Sequence, residues 1–219
     1  MEKSREIVIP GEVVGNTTKN RPGYGTYVED ENIISKFVGI PRESGDYLSV
    51  IPLSGVYVPE PRDKVIGIVT DVEKFGWIVD INSPWDGFLS LSEGVDEFVD
   101  LKKVDMTRYF DVDDVIYTQV KSMRRGDVQL TMKTPLARKL RGGVLVNITP
   151  SKVPRLIGKE GSMVNLIKEK TNTIIRVGQN GVVWISGEKI DKAIKAIKLI
   201  DEKSHMYGLT DEIEKLLSD

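Results

Sequence analysis

The 219-residue chain has no cysteine and a single histidine, His205. The missing thiols exclude disulfides, thiolate metal sites and cysteine nucleophiles together. His205, in Ser204-His-Met-Tyr207, has no recognisable catalytic partner and reads as a surface or packing residue. Absent too are a phosphate loop with Gly-Lys-Ser/Thr, a dinucleotide fingerprint and a nucleophile elbow. The carboxylates Asp111, Asp113 and Asp114 precede a strand-like run and fit a solvated turn better than a metal site. The sequence therefore predicts no catalytic residue, no metal and no cofactor. No apolar run approaches the roughly 20 residues of a membrane span. The start, Met1 to Glu6, also lacks the apolar core of a secretion signal. The expectation is a soluble, cytoplasmic protein with no membrane partner.

What is present is enough apolar content, 40%, for two or three small cores, and an uneven distribution of charge. The net charge is −2. Residues 1–60 carry 6 Lys and Arg against 9 Asp and Glu, residues 61–135 carry 10 against 14, and residues 136–219 carry 15 against 10. The chain is thus acidic for its first two thirds and basic at its end, where a polyanion partner would be sought. Lys192, Lys195 and Lys198 of that end read as a solvated helix face.

The basic segment holds the most informative motif. Leu156 to Val164 reads as a helix, a Gly158-Lys-Glu-Gly161 turn and a second helix in which Met163, Val164 and Ile167 fall at helical spacing, with Ser162 as candidate cap. Glycine at both ends lets the backbone take torsions closed to other residues and approach a sugar-phosphate chain closely. Val144 to Ile148 alternates as a strand. Thr173 to Val177 and Val182 to Ser186 form a hairpin around Gly178-Gln-Asn-Gly181, and Glu188 to Lys203 carries an apolar stripe at helical spacing. The order strand, helix, Gly-x-x-Gly, helix, strand, strand, helix resembles the type I KH family of single-stranded nucleic-acid binders. The resemblance implies RNA contacts at Lys152, Arg155, Gly158, Lys159, Gly161 and Ser162. Glu160 departs from the family's small or basic turn residues and sets a carboxylate beside the expected phosphates, offsetting Lys159.

Upstream, Val65 to Val69, Gly76 to Ile81, Gly87 to Leu91, Val115 to Val120 and Val128 to Met132 make five short strands, which predict a small barrel. Lys74-Phe-Gly-Trp-Ile-Val79, Asp86-Gly-Phe-Leu-Ser-Leu-Ser-Glu93 and Gln129-Leu-Thr-Met-Lys133 resemble, in order and spacing, the S1 family of OB-fold RNA binders. Phe75 takes the first stacking position of that family; the second aromatic is replaced by Ile78 and the usual histidine by Ser90. Trp77, out of phase with Ile78, is expected in a core or interface. Lys121, Arg124 and Arg125 flank a hairpin tip at Arg125-Gly126-Asp127 and either follow an RNA backbone or solvate a turn.

Residues 1–60 contain short strand-like runs bounded by Pro and Gly, an all-β unit without chemistry of its own. Pro10-Gly11, Gly23-Tyr-Gly-Thr-Tyr27, Tyr57-Val-Pro59 and Asp63-Lys-Val-Ile-Gly67 resemble the N-terminal domain of RNA exosome cap subunits. The whole chain resembles the archaeal cap subunits of the ribosomal-RNA-processing-protein-4 family. The expected architecture is an N-terminal β-domain over 1–60, a five-stranded S1/OB barrel over 61–135 and an α+β type I KH domain with a C-terminal helix over 143–219. The resemblance implies a non-catalytic homotrimer, or a cap mixed with a zinc-ribbon subunit. Such a cap binds single-stranded RNA and guides its 3′ ends into a ring of phosphorolytic exoribonuclease subunits. An S1/KH transcription-elongation or translation-associated factor is the alternative.

Overall fold

The computed structural model describes residues 7–97, 105–204 and 208–218, so His205 lies outside the described residues. The chain divides into two compact units after Gly55.

The first unit is all β. Strands β1 (Val13–Asn16), β2 (Arg21–Pro22), β3 (Thr26–Glu29), β4 (Asn32–Ser35), β5 (Gly39–Ser44) and β6 (Tyr47–Pro52) form two three-stranded sheets, ordered β1-β4-β3 and β2-β6-β5. Ile33, Ile34, Leu48 and Val50 supply its core. The run Ile7 to Gly11, strand-like in sequence, contributes only a bridge from Val8 to Gly39.

The second unit begins with the barrel. Strands β7 (Lys64–Glu73), β8 (Gly76–Asp80), β9 (Gly87–Ser90), β10 (Val115–Arg124) and β11 (Asp127–Thr131) run in the order β11-β9-β8-β7-β10, and β11 pairs back to β10 to close the ring. The one-turn helix α1 (Leu91–Gly94) follows β9. Alternation turns Val65, Val69, Trp77, Val79, Leu89, Ile116, Val128 and Leu130 into one core. Trp77 is fully buried there, as its phase predicts. Its indole N–H donates to the Phe110 carbonyl at 2.8 Å, and Phe110 packs edge-on with ring centroids 5.0 Å apart. Tyr57 joins the same core, so the segment after Gly55 already belongs to the barrel.

A strand not foreseen in the sequence, β12 (Arg138–Leu140), pairs with β10 and leads into the third module. There β13 (Val144–Asn147), α2 (Val153–Ile157), α3 (Ser162–Thr171), β14 (Thr173–Val177), β15 (Val182–Gly187), α4 (Ile190–Lys203) and α5 (Leu209–Ser218) build a KH fold with sheet order β13-β15-β14. Leu156, Met163, Ile167, Ile175, Ile185, Ala193, Ile197 and Ile200 interlock in its core. Leu209, Ile213 and Leu217, spaced four apart on α5, complete that core, so the C-terminal stripe packs on the KH body. One local expectation changes. Ser162 is the first residue of α3 and caps nothing, because Gly161 in the left-handed region holds the N-cap position.

Barrel and KH fold are joined by the 178–181 hairpin loop. Strand β8 pairs with β7 only from Ile68 onward, leaving the Ile66 backbone without a strand partner on that side. Asn180, fully buried, takes the place of one. Its side-chain oxygen accepts from Ile66 N–H (3.3 Å), and its amide donates to the carbonyls of Ile66 (2.7 Å) and Ile81 (2.8 Å). The Asn180 carbonyl accepts from Asn82 Nδ2 at 2.9 Å. Beside it, Gln179 exchanges backbone and side-chain bonds with Lys64 and donates to Asp63. Ile66, Tyr117, Leu140, Val182 and Trp184 seal the seam with apolar contact.

Replacing Asn180 with Ala strands three buried backbone groups that have no other strand partner. Equilibrium urea unfolding of Asn180→Ala should show a loss on the order of 2–4 kcal/mol, since each unsatisfied buried group costs roughly 1–3 kcal/mol before water relieves it. A shift under about 0.5 kcal/mol, no more than an ordinary surface substitution produces, would show that the amide does not hold the two folds together.

Candidate nucleic-acid interface

The turn between α2 and α3 is built by three unusual torsions within four residues. Gly158 lies at φ +76°, Glu160 at +53° and Gly161 at +83°. The two glycines do different jobs. A Cβ at Gly158 would meet Met163 N at 2.7 Å and Met163 Cβ at 2.8 Å, so this position is closed by packing as well as by torsion. At Gly161 the nearest atom is the Asn165 side-chain amide at 3.4 Å, so space there is open. Glu160 is a non-glycine residue in the left-handed region, a conformation costing about 1 kcal/mol. Its exposed carboxylate stands next to the exposed Lys159. Arg155 and Ser162 are also exposed, so the turn offers one guanidinium, one ammonium and one hydroxyl.

Lys152 is different. Its ammonium donates to the Asp201 carbonyl and lies 3.5 Å from the Asp201 carboxylate, which ties the start of α2 to the C-terminal turn of α4. The structure brings Arg155, Gly158, Lys159, Gly161 and Ser162 together, and it places Lys152 within an intradomain ion pair beside them.

On the barrel, Phe75 is 59% exposed at the tip joining β7 to β8, with Lys74 Nζ 5.4 Å from its ring centroid. Ile78 is only half-buried, and Phe88 stands opposite it in register. The Phe88 ring lies over Gly76, where a Cβ would come within 2.7 Å of it. This face therefore holds a second aromatic, Phe88, contributed by the neighbouring strand β9. Arg124 and Arg125 are exposed at the opposite end of the barrel, and neither forms an ion pair among the described residues. Lys121 is committed elsewhere, donating to Glu93 Oε1 at 2.7 Å.

A further basic pair was not singled out in the sequence. Lys168 on α3 and Arg176 on the edge strand β14 interact, and the Lys168 ammonium is held below its usual range by burial first and by the Arg176 charge second. Arg176 pairs in register with Trp184, on the sheet face that covers Tyr117. Periodicity alone cannot find such a pair, because its members come from a helix and a strand.

Among the described residues no group of three or more His, Asp or Glu could hold a metal, and no helix is long and apolar enough to cross a membrane.

Three family models match in succession: "Exosome complex exonuclease RRP4 N-terminal region" over residues 7–40, "RRP4, S1 domain" over 56–122 and "KH domain" over 144–202. The "Exosome complex component Rrp4" of Thermococcus kodakarensis is 45% identical over 222 residues, covering 98% of this chain and 86% of the relative. The protein of the same description from Pyrococcus abyssi is 43% identical, covering 98% and 83%. A crystal structure of an exosome complex RNA-binding protein superposes with a TM-score of 0.69 at 34% identity, over 75% of this chain and 96% of that one.

Two outcomes test this geometry. Gly161→Asp should remain folded by circular dichroism yet weaken RNA capture in a filter-binding assay, whereas Gly158→Ala should lower thermal stability because its Cβ has no room. Unchanged capture by Gly161→Asp would make the turn purely structural. The second concerns Glu93, whose carboxyl is held below its usual range by hydrogen bonds from Lys121 first and then Thr131. A carboxyl with a depressed folded-state pKa contributes stability above its unfolded pKa and loses it as pH falls through the folded value. Glu93→Gln should therefore cost up to about 1 kcal/mol near neutral pH and nothing in strong acid, as read by thermal unfolding across pH.

Proposed function

The chain belongs to the Rrp4 family of exosome complex components, and from that premise we propose that it is a non-catalytic cap subunit of a cytoplasmic exosome. It captures single-stranded RNA and passes 3′ ends to a ring of phosphorolytic exoribonuclease subunits, as one of three copies or in a cap shared with a zinc-ribbon subunit. The observation that carries this reading is the presence, in one chain and in Rrp4 order, of a barrel with exposed arginines and a KH turn with an open glycine. Neither supplies a nucleophile, general base or metal cage among the described residues, so strand cleavage falls to the ring.

Chemistry on the surface supports weak, additive capture. Arg124, Arg125, Arg155 and Lys159 offer charge to phosphates without base selectivity, and Glu160 subtracts from it. Each contact is modest, and display of several copies around a ring multiplies them through effective concentration. The N-terminal unit exposes Tyr24 (54%), Phe37 (39%) and Tyr47 (50%), with the Tyr24 and Phe37 rings 6.1 Å apart, and these are the proposed ring-docking residues.

A tagged copy of the chain, expressed in an archaeal host and captured under native conditions, should recover phosphorolytic ring subunits. The purified chain alone should bind RNA weakly and leave it intact with phosphate and Mg²⁺ present. Recovery of polymerase or ribosome instead would favour a transcription or translation factor, and degradation by the chain alone would make it a nuclease.

A further inference from the structure

The three tryptophans have different surroundings. Trp77 is fully buried and Trp184 is 8% exposed, and each indole N–H donates to a carbonyl, Trp77 to Phe110 and Trp184 to Gly142. Trp85 is 37% exposed, and its indole N–H has no acceptor among the described residues. An indole usually finds a partner when buried, so a wet, unpaired one on a positioned ring is the informative case.

The ring is held in place. Ser83 Oγ donates to the Trp85 carbonyl at 2.5 Å and accepts from its backbone N–H at 3.1 Å, fixing the loop between β8 and β9. The edge of the indole rests on the two-residue turn between β10 and β11, where a Cβ at Gly126 would lie 2.8 Å from Nε1 and 2.9 Å from Cδ1. Arg125 at φ +50° and Gly126 at +87° form the left-handed pair of a type I′ turn. Gly126 is thus required both by its torsion and by the ring lying against it. The same turn carries Arg124 and Arg125 with no ion pair among the described residues, so two free guanidinium groups flank an exposed aromatic.

Charge alone does not make this patch a polyanion trap. Asp86 follows Trp85, and Asp127 stands opposite Arg124 in register while accepting from Gln129 at 2.7 Å. Two carboxylates balance two guanidinium groups, so net attraction for a bare phosphate chain is small. The ring must supply the affinity. We propose that Trp85 is a nucleobase-stacking platform for single-stranded RNA, with Arg124 and Arg125 holding the phosphates on either side of the stacked base. The proposal rests on the reading of the chain as an RNA-binding subunit. It adds a site at the end of the barrel opposite Phe75, whose recognition depends on a base and not only on the backbone.

Because Trp77 and Trp184 are buried, a change in tryptophan emission on RNA binding reports mainly on Trp85. The full chain is titrated at low salt with fluorescein-labelled oligoadenylate, following anisotropy and, with the unlabelled oligomer, tryptophan emission. Saturable quenching is expected at the midpoint given by anisotropy, and inorganic polyphosphate, which lacks bases, should leave the emission unchanged. Trp85→Leu should lose the quenching and bind roughly 5- to 150-fold more weakly, the range expected for one base stack. Binding without quenching, or equal quenching by polyphosphate, overturns the stacking proposal and leaves RNA binding standing. Absence of any anisotropy change overturns both. Emission that responds to ring subunits and not to oligoadenylate would make Trp85 a protein-docking residue and likewise overturn the proposal. The measurement on the unaltered chain decides the matter even if Trp85→Leu fails to fold.

Discussion

The second unit depends on one buried amide. Asn180 stands where strand β8 has already left the sheet, and it satisfies the N–H and carbonyl of Ile66 and the carbonyl of Ile81 in a place closed to water. A buried polar backbone group without a partner is costly, so the barrel edge at β7 is incomplete until the KH hairpin loop arrives. Conversely, Asn180 could not be buried unless those three groups were waiting for it. The apolar seam of Ile66, Tyr117, Leu140, Val182 and Trp184 provides non-directional adhesion, and the amide provides register. Barrel and KH fold are therefore one body, not beads on a string.

That joint constrains function. The Gly178–Gly181 loop is spent on the barrel, which leaves the Gly158–Gly161 turn and the edge strand β14 as the KH surfaces open to the proposed RNA contacts. Because the two folds are fixed to each other, the exposed cations at 124, 125, 155 and 159 keep constant spacing, a prerequisite for leading one strand across both modules. Rigid presentation lowers the ordering cost of each weak contact. The chain can then tolerate a carboxylate at Glu160 and a net charge of −2 while belonging to a family of RNA-handling complexes.

Several features were legible in the sequence because they are local. The Gly-x-x-Gly turn, the Gly178–Gly181 hairpin loop, the alternation of β7 to β11 and the stripe of α4 each express a period or a torsional need within a few residues, and the structure reproduces them. Trp77 was placed in a core by phase alone, and it is there. A local rule also misled at one helix start. Ser162 has the chemistry of a cap, but the left-handed Gly161 precedes that helix and holds the N-cap position. Strand β12 escaped notice because three residues around two charged side chains carry no hydrophobic alternation, and it exists only because β10 offers an unpaired edge.

The sequence by itself determined the kinds of modules, their order, and the absence of thiol and histidine-cage chemistry, since composition and short-range periodicity fix those. Only the tertiary structure decided which charges are free and which rings are presented. Lys121 and Lys152 look like Arg124 and Arg155 in the sequence, yet the first two are held by Glu93 and Asp201. Asn180 meets Ile66 across 114 positions, and Trp85 rests on a glycine in a different hairpin. The reason is physical: a side chain's availability depends on what long-range packing brings next to it, and no local pattern records that neighbour.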